Sequence, residues 1–198
     1  MTLRVGVCVS GRGSNLQAIL DACREGQLDA QVVYVASSRK HAPALERANA
    51  AGVPAAAFPP AANGGRDAAQ LLMAARLVAA AVELVVLAGY DRILCDGFFA
   101  RLGEVPVINI HPSLLPAFGG LNGPKVHEAV LAARANESGC TVHRAHAGQL
   151  DAGEILVQRR VPVRPSDDAE TLAARVLAEE HLAIVEGVRI FATRARAV

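Results

Sequence analysis

The chain opens on a continuous apolar run, residues 3–10, that ends in the loop Gly11-Arg12-Gly13. Such a run fits a strand buried on both faces of a parallel sheet. The period then changes. Leu16, Ile19, Leu20 and Cys23 recur at helical spacing and predict a helix over residues 15–24. The alternation continues, with strands predicted at 31–36, 53–58, 84–88 and 105–110 and helices at 42–51 and 66–81. Between them, Pro59-Pro60-Ala61-Ala62-Asn63-Gly64-Gly65 reads as loop. Strands alternating with helices imply right-handed crossovers. After His111 the pattern shifts: a helix near 126–135, apolar runs at 140–145 and 155–163 that fit an antiparallel pair, and a final helix from about 169 to 188 or beyond. The predicted class is α/β, a mostly parallel twisted sheet with helices on both faces and an antiparallel extension near the C-terminal end.

Composition narrows the functions open to this fold. With 198 residues, 52% of them hydrophobic, the chain suits one domain with a sizeable core. Twenty Lys and Arg against 19 Asp and Glu leave a net charge of +1, which argues against nucleic acid as partner. Trp is absent, so a stacking platform for single strands is not expected. Cys8, Cys23, Cys95 and Cys140 contain no C-x-x-C pair, which points to reduced thiols and a cytoplasmic protein. No apolar run is long enough to suggest a membrane partner.

Ligands of such sheets sit beyond the carboxyl ends of the strands, and three segments there carry chemistry. In Ser10-Gly11-Arg12-Gly13-Ser14-Asn15 small residues admit an anion to backbone N–H groups at a helix N-terminus. Leu16 replaces the third glycine of the dinucleotide fingerprint, and no Gly-Lys-Ser/Thr follows, so a single phosphate fits better than a pyrophosphate. The structural alternative is a tight turn capped by Ser14 or Asn15. In Asn109-Ile110-His111-Pro112 the period of two puts Asn109 and His111 on one side of a strand, an oxyanion donor beside a proton-transfer group. Alone, the pair also reads as an ordinary strand end. In Leu150-Asp151-Ala152-Gly153 the carboxylate is turn chemistry unless the fold brings it to His111, where it would orient the imidazole and favour its charged form. His143 and His146 have no carboxylate at ligand spacing beside them, so no metal is expected.

The segments SGRGSNLQAIL, LAGYDRIL, INIHPSLLPAF and LDAGEI, in this order, resemble those of the phosphoribosylglycinamide formyltransferase family, from about Val5 to His181. INIHPSLLP is shared more widely among folate-dependent formyl-transfer enzymes; GxGSNLQ points to the ribonucleotide acceptor. The resemblance implies a Rossmann-like formyltransferase fold. It also implies transfer of a formyl group from 10-formyltetrahydrofolate, acting as co-substrate, to the amine of 5-phosphoribosylglycinamide in purine synthesis, with no metal. One formyltransferase domain over 1–198 is implied, phosphate-binding over about 1–100 and folate-binding and catalytic over about 101–198. Its partners would be small molecules, with no nucleic acid and no membrane, and the protein a monomer or homodimer.

By the same resemblance Asn109, His111 and Asp151 match the catalytic trio. Gly11, Arg12, Gly13, Ser14 and Asn15 match the phosphate loop, and Glu180 the acid that meets the ribose hydroxyls. Asp91, Arg92, Ile93 and Leu94 line the pterin pocket, Arg66 meets the folate tail, and Ala147, Gly148, Gln149, Leu150 and Asp151 form the folate loop with Asn109 nearby. Three features depart from the family pattern. Asp91 stands where an apolar residue is usual, the segment 143–151 is one residue longer, and the loop 120–125 lacks the histidines of some relatives. Two other functions share most of these residues: a formyltetrahydrofolate hydrolase, or a formyltransferase with another amine acceptor. A non-catalytic ligand-binding module is the third alternative, opposed by the presence of all three side chains of the trio.

Overall fold

Seven strands form one sheet in the order β3-β2-β1-β4-β5-β6-β7 in the computed structural model, which describes residues 2–194. The parallel strands are β1 (Leu3–Val9), β2 (Ala30–Ser37), β3 (Ala55–Ala57), β4 (Leu84–Leu87) and β5 (Val107–His111). The antiparallel strands are β6 (Glu137–Arg144) and β7 (Ile155–Pro162). The helices are α1 (Ser14–Arg24), α2 (Pro43–Ala50), α3 (Arg66–Ala79), α4 (Asp96–Leu102), α5 (Pro124–Ala132) and α6 (Ala169–Arg194). From β1 the chain winds outward to β2 and β3, then returns to β4 on the other side of β1. The order reverses at that point, which leaves a crevice beyond the strand ends.

Alternation along the strands builds two cores. Val5, Val7 and Val9 of β1, Leu84 and Val86 of β4, and Ile108 and Ile110 of β5 face Leu16 and Ile19 of α1 and Leu172, Val176 and Ile184 of α6. Cys8, Val85, Leu87 and Val107 face the other way, onto Met73, Ala74 and Leu77 of α3 and Phe98 and Leu102 of α4. Each such side chain fully withdrawn from water contributes about 1.5–3 kcal/mol. On β5 the face that begins with Val107 continues as Asn109 and His111. The two polar residues lie where the strand runs past its apolar cover. At Gly6, β1 packs tightly on α3 and the turn after it: a Cβ there would lie 2.5 Å from Leu77 Cδ2 and 2.9 Å from Val82 Cγ1.

The predicted elements are present, with the antiparallel pair in place and the last helix continuing to Arg194. Three differences are local. β3 is three residues rather than six, and a 3-10 turn, Pro60–Ala62, sits inside the predicted loop. α4 is a helix that the hydrophobic pattern did not predict. It is seven residues long and contains Gly97, too short to show a period, and burial of Phe98 and Leu102 against α3 and β4 holds it.

Candidate active site

The loop after β1 turns on Gly13, whose φ of +76° lies in the left-handed region that favours glycine. Its backbone rests on α2: a Cβ at Gly13 would lie 2.5 Å from Ala44 Cβ and 2.8 Å from Ala44 Cα. Arg47 of α2 donates from Nε to the Arg12 carbonyl at 2.8 Å. Gly13 is the N-cap of α1, and no side chain caps the helix. The turn capped by Ser14 or Asn15 is therefore not what forms, and the first-turn N–H groups have no capping side-chain oxygen. Asn15 instead donates from Nδ2 to Glu180 Oε2 of α6 at 2.7 Å, and its own Oδ1 is buried without a partner. Burial pushes the Glu180 carboxyl above its ordinary value, opposed by the hydrogen bond from Asn15.

At the end of β5 the fold assembles the trio. His111 Nδ1 lies 3.4 Å from Asp151 Oδ2, and Asn109 Nδ2 lies 3.5 Å from Asp151 Oδ1. Asp151 reaches them from the connection between β6 and β7. There it adopts a φ of +51°, a conformation that Asp tolerates better than most residues, and accepts from the Gly120 N–H at 2.9 Å. The His111 ring is 5% exposed and Asp151 7%, so both are shielded from water. Burial lowers the His111 pKa; the Asp151 carboxylate and the Phe118 carbonyl, 3.2 Å from Nε2, oppose this, and His143 adds to the lowering. The net shift is downward. The expectation that Asp151 keeps His111 charged is thus opposed by a larger effect, the cost of charging a buried ring. Asp151 itself stays below its ordinary value: burial raises it, and His143, the Gly120 N–H and His111 outweigh that.

His143, in the strand predicted over 140–145, supports the site. It pairs with Asn109 directly across the β5–β6 ladder, so both side chains share one face. His143 Nδ1 donates to the Arg144 carbonyl at 2.9 Å, and Nε2 lies 3.1 Å from Asn109 Nδ2 and 3.5 Å from Asp151 Oδ1; the neutral ring accepts there from the amide, and a protonated ring donates to the carboxylate. The Asn109 amide is thereby oriented. Its nitrogen faces the His143 ring and the Asp151 carboxylate, and a flip would set oxygen against both.

A cleft of about 740 Å3 joins these groups. Gly11 to Asn15 and Glu180 line one part of it, and Asn109, His111, His143 and Asp151 another. Asp91, Arg92, Ile93, Leu94, Gly148, Gln149 and Leu150 also line it. Ala147 is not on its wall, and Arg66 lies in an adjoining groove of about 480 Å3 that shares Ile93, Leu94 and Gly148 with the cleft. Asp91 turns away from an isolated position: Ser38 Oγ donates to it at 3.3 Å, and the Arg39 guanidinium pairs with its other oxygen. Among the described residues no cluster of three His, Cys, Asp or Glu is placed to hold a metal, and no helix is long and apolar enough to cross a membrane.

Comparison with known proteins gives the same picture. Residues 3–188 match the family model described as formyl transferase. The chain is 41% identical over 194 residues to the trifunctional purine biosynthetic protein adenosine-3 of Drosophila pseudoobscura pseudoobscura, covering 97% of this chain but only 14% of that protein. It spans less than a fifth of such trifunctional relatives. It is 37% identical over 178 residues to the phosphoribosylglycinamide formyltransferase of Haemophilus influenzae, covering 90% of this chain and 82% of that one. Among solved structures, glycinamide ribonucleotide transformylase 1 of Symbiobacterium toebii superposes with a TM-score of 0.91 at 45% identity, over 97% of this chain and 88% of that one. With sequence and fold matched over nearly their whole length, the chain belongs to the formyl transferase family.

Proposed function

We propose that this protein transfers a formyl group from 10-formyltetrahydrofolate to the amine of 5-phosphoribosylglycinamide, giving formylglycinamide ribonucleotide and tetrahydrofolate in purine biosynthesis. One observation carries the reading. The trio Asn109, His111 and Asp151 shares a single cleft with an uncapped helix N-terminus suited to one phosphate. The names of the relatives at 37–45% identity support it.

In this reading the ribonucleotide phosphate lies against Gly11 to Asn15, and Glu180, beside Asn15, faces the ribose hydroxyls. Segments 91–94 and 147–151 hold the pterin, and Arg66 in the adjoining groove meets the folate tail. The neutral amine attacks the formyl carbon. The oxygen of the resulting tetrahedral intermediate accepts from the Asn109 amide and the His111 ring, each preorganised donor contributing about 3 kcal/mol. Negative charge on that oxygen favours the protonated His111 ring, and the proton that the ring takes up as the intermediate forms is the one lost by the attacking amine. Asp151 aligns His111 through Nδ1. As the bond from carbon to the folate nitrogen breaks, the proton lost by the amine is delivered to that nitrogen, so proton and electron pair balance without a covalent enzyme intermediate.

The reading includes a single domain, its phosphate-binding part over about 1–100 and its folate-binding and catalytic part over about 101–198. It also includes a cytoplasmic location, small-molecule partners without nucleic acid or membrane, and a monomer or homodimer. Absorbance-monitored turnover of 10-formyltetrahydrofolate with and without the ribonucleotide tests the activity. Turnover that needs the ribonucleotide and is lost in His111→Ala supports it. Formyl release without acceptor would instead assign a hydrolase.

A further inference from the structure

The carboxyl ends of β1, β2 and β4 are joined by a small ring of hydrogen bonds at residues outside the trio. The Asp91 N–H donates to Ser10 Oγ at 3.0 Å, Ser10 Oγ and Ser38 Oγ are 2.7 Å apart, and Ser38 Oγ donates to Asp91 Oδ1 at 3.3 Å. With Ser38 donating to the Asp91 carboxylate, which only accepts, Ser10 donates to Ser38 and accepts from the Asp91 N–H, so that each hydroxyl donates once and accepts once. Ser10 and Ser38 are 3% and 2% exposed, which leaves their hydroxyls little access to water. The Arg39 guanidinium pairs with Asp91 Oδ2, and the Arg39 backbone is held in turn by Ser37 Oγ, which accepts its N–H at 3.1 Å and donates to its carbonyl at 2.9 Å.

The position of the ring matters more than its strength. Ser10 is the residue before the phosphate loop, and Asp91 is the residue before Arg92, Ile93 and Leu94. The two segments leave neighbouring strands and line different parts of one cleft. Backbone bonds start the connection, from the Ser10 N–H to the Gly89 carbonyl at 3.0 Å and from the Ser38 N–H to the Val9 carbonyl at 3.1 Å. Only the side chains close it. An apolar residue at 91 would leave the Ser38 hydroxyl without its acceptor and Arg39 without its partner.

We propose that Asp91 is a positioning residue that, through Ser10, Ser38 and Arg39, holds the phosphate loop in register with the folate-lining segment, so that losing its charge weakens binding at both ends of the cleft. This rests on the proposed function for the identity of the two ligands. A side chain that simply touched the folate would affect the folate alone.

The test compares wild type with Asp91→Asn, Arg39→Gln and the double variant, and adds Ser38→Ala, which keeps the ion pair, in case Asp91→Asn does not fold. KM for the ribonucleotide and for 10-formyl-5,8-dideazafolate is expected to rise about five- to tenfold for each, the size of one lost ordinary hydrogen bond, with kcat changed less than about threefold. The double variant is expected to be no worse than Asp91→Asn, because the two residues share one interaction. In the ligand-free protein, hydrogen exchange of a peptide covering residues 10–16 is expected to quicken by a similar factor in the variants. A rise in folate KM alone with unchanged exchange would overturn the proposal, as would unchanged constants for both ligands. If wild type shows no acceptor-dependent transfer, the proposed function fails, while exchange and direct titration with the ribonucleotide still judge the ring.

Discussion

Two glycines in the same loop should respond to alanine in opposite ways. At Gly11 a new Cβ meets nothing within 4 Å, and the backbone is not in the left-handed region. At Gly13 the Cβ would fall 2.5 Å from Ala44 Cβ and 2.8 Å from Ala44 Cα, at a φ of +76°. The Ala44 Cα belongs to α2 and cannot rotate away. Left-handed backbone costs a non-glycine residue about 1–2 kcal/mol. Overpacking adds about 1–3 kcal/mol, and the stiffer unfolded chain returns about 0.4–1 kcal/mol. The net loss for Gly13→Ala is roughly 1–5 kcal/mol, or a fall in Tm of about 5–10 °C near the middle of that range for a chain of this size. Gly11→Ala should stay within about 0.5 kcal/mol of wild type. Thermal unfolding followed by circular dichroism reads both, and the KM for the ribonucleotide reports whether the loop has shifted. A Gly13→Ala protein that melts with wild type would refute the argument that contact with α2 shapes the loop. Equal losses at both glycines would refute it too, by making flexibility rather than space the cause.

Asn109→Ala should lower kcat about 10²–10³-fold while leaving Tm near wild type, as expected for one oxyanion donor; a loss under threefold would remove Asn109 from that role. His143→Gln, which can still accept from Asn109, should retain more activity than His143→Leu, and the reverse order would deny His143 its part in aligning the amide. The pKa values of His111, His127 and His181 are all lowered from 6.5, burial being the leading cause in each. Unfolding therefore takes up protons, and stability should be complete above about pH 6.5 and fall as pH drops through the lower folded values. His127→Leu should flatten that fall in Tm, and an unchanged slope would count against the burial account. Burial pushes the Cys8 and Cys140 thiols up to about 12, so both should resist iodoacetamide at pH 8 in the native protein and react after denaturation in urea. Mass spectrometry that found either one modified in the native state would contradict their placement.

Much of this architecture is legible in the order of residues because its causes are local or periodic. The apolar run of β1, the 3.6-residue spacing of α1 and the Ala/Leu pattern of α3 each express burial of one surface, and burial repeats along the chain. The period of a strand puts Asn109 and His111 together, and the glycines after β1 suggest an anion site. α4 escaped because two turns of helix are too short to repeat anything. The outcome for His111 also lay outside local reasoning. A carboxylate neighbour suggests a charged ring, but how deeply that ring is buried depends on segments far away in the chain.

The sequence alone therefore determined the class of fold, the order of its strands and longer helices, and the candidates for the trio. Those follow from periodicity, backbone geometry and a run of matching motifs. Tertiary structure decided what those residues touch. Register across the β5–β6 ladder set His143 against Asn109, and a one-residue slip would have sent it to the opposite face. Packing of α1 on α6 joined Asn15 to Glu180 across 165 positions. The reversal of strand order beside β1 brought Ser10, Ser38 and Asp91 into one ring. Each of these contacts joins residues distant in the chain, and no local period encodes which distant partner a side chain will meet.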